Sequence, residues 1–364
     1  PVAPSAIASR YTKETPRELT TGEVEGVIES FSDAAVRARN AGFDAIELLG
    51  ATGYLISQFL SPLTNQRTDR FGGDFEDRLT FVKELVLGIG ANAGNDYPII
   101  FRLSSKDNIP GGLEAEDQLQ VAVKLAEWGV QLMNVTAGWH DAAVHQIGPS
   151  VPHGNFIPYA AKIRKAIPIP VSCAMRITTP ELAESAVSDG RLDMVTLGRA
   201  IIADPDWPNK ALNGEYDAIR YCICCCHCFD VAFSRSQTEC SVNAELGKDR
   251  LQDTQAAKKI LVIGGGPAGM EAARVLALRG HSVVLHEKGS SLGGKLGIAS
   301  APPDKNEIAK LTDFHHYEVK RLGVTIKMNE DSREFDGYDG IIVATGGKER
   351  TLSIKGMDAI PVCT

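Results

Sequence analysis

Between Lys259 and Glu287 the order of residue types leaves the backbone little choice. Lys259-Ile260-Leu261-Val262-Ile263 has the composition of a buried strand, and Gly264-Gly265-Gly266-Pro267-Ala268-Gly269 follows at once. Gly264, Gly266 and Gly269 fill G-x-G-x-x-G: the first permits a tight turn, the second lets a pyrophosphate approach, and the third lets helix pack closely on strand. A helix from Pro267 to Arg279 then aims its N-terminal N–H groups at the phosphates. Ser282-Val283-Val284-Leu285-His286-Glu287 forms a second strand, whose terminal acid is placed for ribose hydroxyls. A glycine-rich turn alone is weak evidence. Strand, turn, helix, strand and acid in this order are a strong signal for a Rossmann-like dinucleotide fold.

Two later segments narrow the ligand. Leu292-Gly293-Gly294-Lys295 and Ala344-Thr345-Gly346-Gly347 look like the additional motifs of flavoproteins that carry two dinucleotide folds. They favour FAD over a nicotinamide here, with Gly294 among its contacts. The partner fold for NAD(P)H is not visible in this chain.

Residues 1–215 have a different rhythm, helix and strand alternating. A helix capped by Thr21 is expected to run to about Asn40, with Val24, Val27, Ile28, Phe31 and Ala35 near helical spacing. Phe43 to Leu49 then suits a buried parallel strand. Further strands are expected at Tyr97–Leu103, Gln131–Val135, Ile169–Ala174 and Met194–Leu197, with helices such as Leu113–Trp128 and Thr179–Ser188 between them. Five βα units in series point to a (β/α)₈ TIM barrel or an open doubly wound sheet. A barrel needs three more strands upstream. The chain begins Pro1-Val2-Ala3 and stops at Thr364, and both ends are expected to be cuts in a longer protein. The fold class is therefore α/β: the C-terminal part of a barrel over 1–215, a cysteine segment and linker over 216–256, and a truncated FAD-binding domain over 257–364.

Six of the eight cysteines lie between Cys222 and Cys240. In a long acidic chain such crowding suggests a metal centre in a reducing, cytoplasmic setting, not a disulfide scaffold. Cys222, Cys225 and Cys228 form C-x2-C-x2-C, and Cys240 follows after eleven residues. Three thiolates at this spacing can wrap one side of a [4Fe–4S] cubane while a fourth returns from a loop. Zinc is the alternative, although its structural sites usually pair two separated C-x2-C knuckles. Cys224 and Cys226 offer a competing frame, and His227 is expected only to pack nearby.

The chemistry of the first region concentrates at expected strand ends. Arg102, Arg176 and Arg199 each stand at or just past one, the edge where barrel active sites form. Arg176 with Gly198-Arg199 suits the phosphate of FMN, and Arg102 suits negative charge on a reduced flavin ring. For any single arginine a surface ion pair is the commoner role. Tyr54, in Gly50-Ala51-Thr52-Gly53-Tyr54, and His140, in Gly138-Trp139-His140, would meet at the barrel mouth. A phenol beside an imidazole can deliver a proton and have it replenished; a hydrogen-bonded core Tyr and a loop His are the plainer reading.

Net charge of −8 and no long basic run argue against a nucleic-acid partner. No apolar stretch approaches the ~20 residues needed to span a bilayer.

Taken together, these residues resemble the iron–sulfur branch of the old yellow enzyme superfamily, and within it the 2,4-dienoyl-CoA reductase type. The resemblance covers nearly the whole chain. It includes Ala41-Gly42-Phe43-Asp44, Gly53-Tyr54-Leu55, Asn65-Gln66-Arg67-Thr68-Asp69 with Gly72-Gly73, Arg102-Leu103-Ser104 and Gly138-Trp139-His140, besides the cysteines and the FAD motif. It implies NAD(P)H-dependent reduction of a conjugated enoyl- or dienoyl-CoA, with electrons passing from NAD(P)H to FAD, [4Fe–4S], FMN and substrate. It also implies Tyr54 as proton donor and His140 as its supporting acid. Leu49 and Thr52 stand where many relatives carry His or Asn for the substrate's carbonyl, and Thr52 also replaces the acid of the dienoyl type. The short cysteine spacing resembles the amine dehydrogenases. Reduction of another unsaturated or aromatic acyl-CoA, or amine dehydrogenation, are the alternatives the resemblance leaves open.

Overall fold

A computed structural model describes residues 1–143, 146–234, 236–249, 251–254, 256–331, 335–347 and 355. The chain divides into two compact units, Pro1–Ile201 and Ile202–Thr364.

In the first unit β1 (Val2–Ala3) pairs in parallel with β2 (Arg17–Glu18). There follow α1 (Thr21–Asn40), β3 (Ile46–Gly50), α2 (Leu55–Leu60), α3 (Phe75–Ala93), β4 (Ile99–Ser104), α4 (Ala115–Glu127), β5 (Leu132–Thr136), α5 (Ile157–Ala166), β6 (Val171–Cys173), α6 (Pro180–Ser188), β7 (Met194–Val195) and α7 (Arg199–Ala203). The cap of α1 is Thr20, one residue before the expected Thr21. Thr20 Oγ1 accepts from Glu23 N–H, and the Glu23 carboxylate accepts from Thr20 N–H at 2.8 Å, a closed capping box. Thr21 instead donates its hydroxyl to Asp69 at 2.6 Å.

Strands β3-β4-β5-β6-β7 hydrogen-bond in chain order, all parallel. A doubly wound sheet would reverse its order at a switch point. Sequential order with right-handed crossovers places every helix on one side, which is the wall of a barrel. Side chains alternate accordingly. Leu48, Phe101, Leu103, Met133, Val135, Val171 and Cys173 are buried on one face, as are Phe81, Val82 and Leu85 of α3 and Val121 and Leu125 of α4. The opposite face carries Glu47, Leu49, Arg102, Asn134 and Thr136. After α2, buried Asn65 donates to the carbonyls of Phe59 and Phe71 at 2.7 Å, and buried Arg67 donates to those of Pro4 and Leu19. This segment shapes a loop.

The second unit holds α8 (Trp207–Leu212), α9 (His227–Phe233), β8 (Lys259–Ile263), α10 (Pro267–Leu278), β9 (Ser282–Glu287), α11 (Leu296–Ser300), α12 (Ala309–Arg321), β10 (Thr325–Met328) and β11 (Gly340–Val343). Its sheet runs β10-β9-β8-β11, all parallel. The order reverses beside β8, which puts the glycine turn after β8 at the switch point where such sheets bind ligands. Val262, Ala273, Val283, Leu285, Val319 and Val324 form its core. The cysteine segment belongs to this same unit. Cys222, Ile223 and Cys240 pack against Ala203, Val242, Leu311 and Phe314. Glu245 bridges Arg220 at 3.4 Å and Arg274 of α10 at 2.7 Å, a partly buried tie between that segment and the dinucleotide fold.

Among the described residues, no helix is long and apolar enough to cross a membrane.

Candidate functional site

Backbone strain collects at one edge of the barrel wall. Thr52 (φ 62°) and Gly53 (φ 89°) follow β3, Asn108 (φ 55°) follows β4, and Met175 (φ 73°) and Arg176 (φ 57°) follow β6. A β-branched residue in left-handed conformation is a genuine outlier, and such residues cost about 1–3 kcal/mol each. All lie at C-terminal strand ends, where barrels build their sites.

The backbone joins these loops. Thr52 and Trp139 form an isolated parallel bridge, and His140 N–H donates to Thr52 O at 3.2 Å. Gly138 and Trp139 donate to the carbonyls of Lys106 and Asp107 at 2.8 and 3.0 Å. The loops after β3, β4 and β5 are thereby held together. Tyr54 stands at the N-cap of α2, 47% exposed, and its ring meets that of His140 edge-on, centroids 5.4 Å apart and planes at 77°. The structure thus brings both expected residues together. Beneath them the Trp139 ring lies so close to Gly53 that a Cβ there would sit 3.0 Å from it. Asp141, next to His140, accepts from Ser9 Oγ at 3.0 Å and Tyr11 N–H at 2.5 Å.

Below this edge the open face of the sheet is polar. Arg102 Nη1 lies 4.0 Å from Glu47 Oε1, and Asn134 Nδ2 donates to Glu47 Oε2 at 2.8 Å. Arg102 Nε, Asn134 Oδ1 and Thr136 Oγ1 are buried without hydrogen-bond partners among the described residues. Each such atom costs about 1–3 kcal/mol unless something satisfies it. Donors and acceptors on one sheet face suit a flat, polar-edged ring such as a flavin. Glu47, Asn134 and Thr136 were not singled out in the sequence. The signal for Asn134 and Thr136 is a polar residue at every second position of an otherwise apolar strand, and for Glu47 a lone acid in an apolar run.

Arg176 is buried, and its Nε donates to Val151 O at 2.6 Å. Arg199 Nη1 donates to Ile147 O at 2.8 Å. The two guanidinium groups hold one loop, 147–151, against the ends of β6 and β7. Gly198 would offer a Cβ open space, so nothing blocks approach to its backbone.

In the second unit the glycines are where the motif places them. Gly264 has φ 106°, and a Cβ on it would lie 2.3 Å from Ala344 O. A Cβ on Gly269 would lie 1.8 Å from Gly264 O, whereas one on Gly266 would meet nothing within 4 Å. The turn, the packing and the open approach are thus divided among three residues. Gly294 packs on Gly266 Cα, and Gly293 N–H donates to Gly265 O at 2.8 Å. Glu287 accepts from Gly265 N–H at 2.6 Å and Gly289 N–H at 2.7 Å, which fixes its carboxylate over the turn.

Among the described residues no cysteine takes part in a disulfide. Cys225 Sγ donates to Ser241 Oγ at 3.3 Å beside Cys240, and Cys224 N–H donates to Cys222 Sγ at 3.4 Å. Cys224 (φ 50°) and Cys226 (φ 60°) are left-handed, Cys224 is fully buried, and Cys226 Sγ turns to Cys224 O at 3.5 Å. Alternating left-handed residues turn backbone N–H groups inward, the concave arrangement found around anions and iron–sulfur centres. Among the described residues, no three His, Cys, Asp or Glu side chains converge on a single-ion site. A cubane makes a different demand, since each of its four thiolates binds its own iron.

Residues 1–218 match the NADH:flavin oxidoreductase / NADH oxidase family, and residues 258–363 match the pyridine nucleotide-disulphide oxidoreductases. The chain is 42% identical to an NADH oxidase of Thermoanaerobacter brockii over 98% of its own length and 57% of that protein's. It is 36% identical to a cinnamate reductase of Clostridium sporogenes, over 99% of the chain and 58% of the relative. The solved structure of a 2-naphthoyl-CoA reductase in complex with 2-naphthoyl-CoA superposes with TM-score 0.94 at 35% identity, covering 98% of the chain and 56% of that protein. The chain spans little more than half the length of the relatives it matches.

Proposed function

Because the chain belongs to the NADH:flavin oxidoreductase / NADH oxidase family, and its two matched regions fit the iron–sulfur branch of the old yellow enzymes, we propose that it reduces a carbon–carbon double bond conjugated to a carbonyl. The observation that carries this is the Tyr54–His140 pair, pinned by backbone bonds above a polar sheet face. An enoyl or aromatic acyl-CoA is the proposed substrate class, and NAD(P)H the reductant. When bound, FAD, a [4Fe–4S] cluster and FMN would accept hydride from NAD(P)H, pass its electrons on singly, and return hydride to the substrate.

The chain's own residues have separate tasks. Gly264, Gly266, Gly269, Gly294 and Glu287 would hold FAD: Gly266 leaves room for pyrophosphate and Glu287 stands by the ribose. Arg102, with Glu47, Asn134 and Thr136, would hold the FMN ring. Gly198 and Arg199 would hold its phosphate, and Arg176 would fix the loop beside it. Tyr54 Oη would donate the proton that completes reduction, and His140 would restore it. Leu49, apolar and 39% exposed on the open face, favours an unsaturated or aromatic acyl group over an amine. Steady NADH-dependent reduction of cinnamoyl-CoA or a 2,4-dienoyl-CoA by the full-length protein tests the reading. Inactivity across a panel of conjugated thioesters and acids would sink it.

Cys222, Cys225, Cys228 and Cys240 would ligate the cluster, since Cys224 and Cys226 are committed to shaping the loop. Cys225→Ser in the full-length protein should lower bound iron and visible absorbance. Iron content equal to the parent's would remove Cys225 from the ligand set.

A further inference from the structure

Behind the proposed proton donor lies a buried acid that the mechanism above does not use. We propose that Asp107 is a positioning residue for Tyr54 and His140, acting through the indole of Trp139. The inference rests on the reading of that pair as the proton donor.

Asp107 lies in the loop after β4 and is 1% exposed. It accepts from Leu113 N–H at 2.7 Å and from Gln118 Nε2 at 3.0 Å. Its backbone carbonyl receives Trp139 N–H at 3.0 Å. The Trp139 indole and the Ser61 hydroxyl stand beside its carboxylate. The indole Nε1 is buried and lacks the alignment of a hydrogen bond to any described residue. The other side of that ring supports Gly53, and the Trp139 backbone pairs with Thr52. A shift of the indole toward or away from Asp107 is therefore felt by the Gly53–Tyr54 turn and by His140, the next residue. In a close-packed site displacements of this kind pass on undamped.

Asp107 has two satisfied states. Burial pushes its carboxyl up to about 6, against the pull of the surrounding donors. When ionised it is met by Leu113 N–H and the Gln118 amide. Gln118 Oε1 is buried without a partner, so a turned amide would accept from the protonated acid. The charged groups around it are engaged elsewhere. Lys106 pairs with Glu114 at 2.6 Å, Asp117 accepts from Glu114 N–H at 3.0 Å, and Arg78 of α3 donates to Leu60 O at 3.1 Å.

The test uses the full-length protein labelled with 5-fluorotryptophan, the Trp139 resonance being assigned by its loss in Trp139→Phe. That resonance should move with a midpoint near pH 6 and be flat in Asp107→Asn. The rate of substrate reduction by pre-reduced enzyme should be about tenfold lower in Asp107→Asn at pH 8, a modest fraction of what misplacement can cost. It should converge on the parent's near pH 5, where both side chains are neutral. Reduction of the flavins by NADH should be equal in the two proteins. Asparagine can accept from Leu113 and donate to Gln118 Oε1, so the variant should fold. A Trp139 resonance that still titrates near pH 6 in Asp107→Asn, or a rate ratio constant from pH 5 to 8, overturns the inference. Full substrate reduction by Tyr54→Phe would instead overturn the donor reading, while leaving the Trp139 titration in place.

Discussion

Tyr54→Phe should slow substrate reduction by about 10²–10⁴-fold while reduction of the flavins by NADH stays within about twofold of the parent. The hydroxyl is the only group the substitution removes. The Tyr54 ring meets His140 edge-on, and its N-cap position is held by backbone bonds that phenylalanine keeps. The fold should therefore survive, and Tm should be unchanged. Stopped-flow measurement of each half-reaction separates the two steps. Equal slowing of both would assign Tyr54 to flavin binding; no slowing of either would remove it from the chemistry.

Gly269→Val should abolish FAD binding and destabilise the second unit. A Cβ at this position would lie 1.8 Å from Gly264 O, so either α10 or the glycine turn must move. Overpacking of a close joint costs about 1–3 kcal/mol or more. Both partners here are backbone, which has no alternative rotamer. Gly266→Ala is the informative contrast, because a Cβ there meets nothing within 4 Å and φ is −74°. It should fold normally and still weaken FAD, because the methyl group occupies the approach of the pyrophosphate. The ratio of FAD to FMN released on denaturation, with Tm for each variant, tests the pair. Normal FAD in Gly269→Val would mean the cofactor does not depend on this turn.

A pH dependence follows from Asp107. Its native carboxyl titrates near 6, above the ordinary 3.8, so the native state holds a proton that the unfolded chain has lost. Stability should therefore fall as pH rises from about 4 to 6 and stay lower above that, by about 3 kcal/mol at most. In Asp107→Asn that fall should be absent, leaving the variant at least as stable as the parent at pH 8. Thermal melts between pH 4.5 and 8 would show it; parallel curves would contradict it.

How much of this was legible depends on the range of the interactions involved. The dinucleotide turn could be read almost residue by residue, because its demands are local: a positive φ at Gly264, an open face at Gly266, a tight joint at Gly269. Strand positions in the first unit followed from short apolar runs. The choice between barrel wall and doubly wound sheet did not, since it lies in strand order, which five similar βα units leave undetermined. Thr20 and Thr21 are adjacent candidates for one cap, and Glu23, three residues after Thr20, decides between them by closing a capping box. The meeting of Tyr54 and His140 could be anticipated because both follow strands. Asp107 could not, since its partners at Leu113, Gln118 and Trp139 share no local pattern. Glu47, Arg102 and Asn134 become a site only when their strands lie in register.

The bridge between Thr52 and Trp139 has a consequence for how such enzymes diversify. It fixes Tyr54 and His140 through main-chain atoms, and the side chain of Leu49 takes no part in it. On the function proposed above, mutation at position 49 would redraw the acceptor pocket while the proton donor and its support stay where they are. On that reading, a lineage built this way would move among unsaturated acceptors by small steps, without inventing a proton source each time.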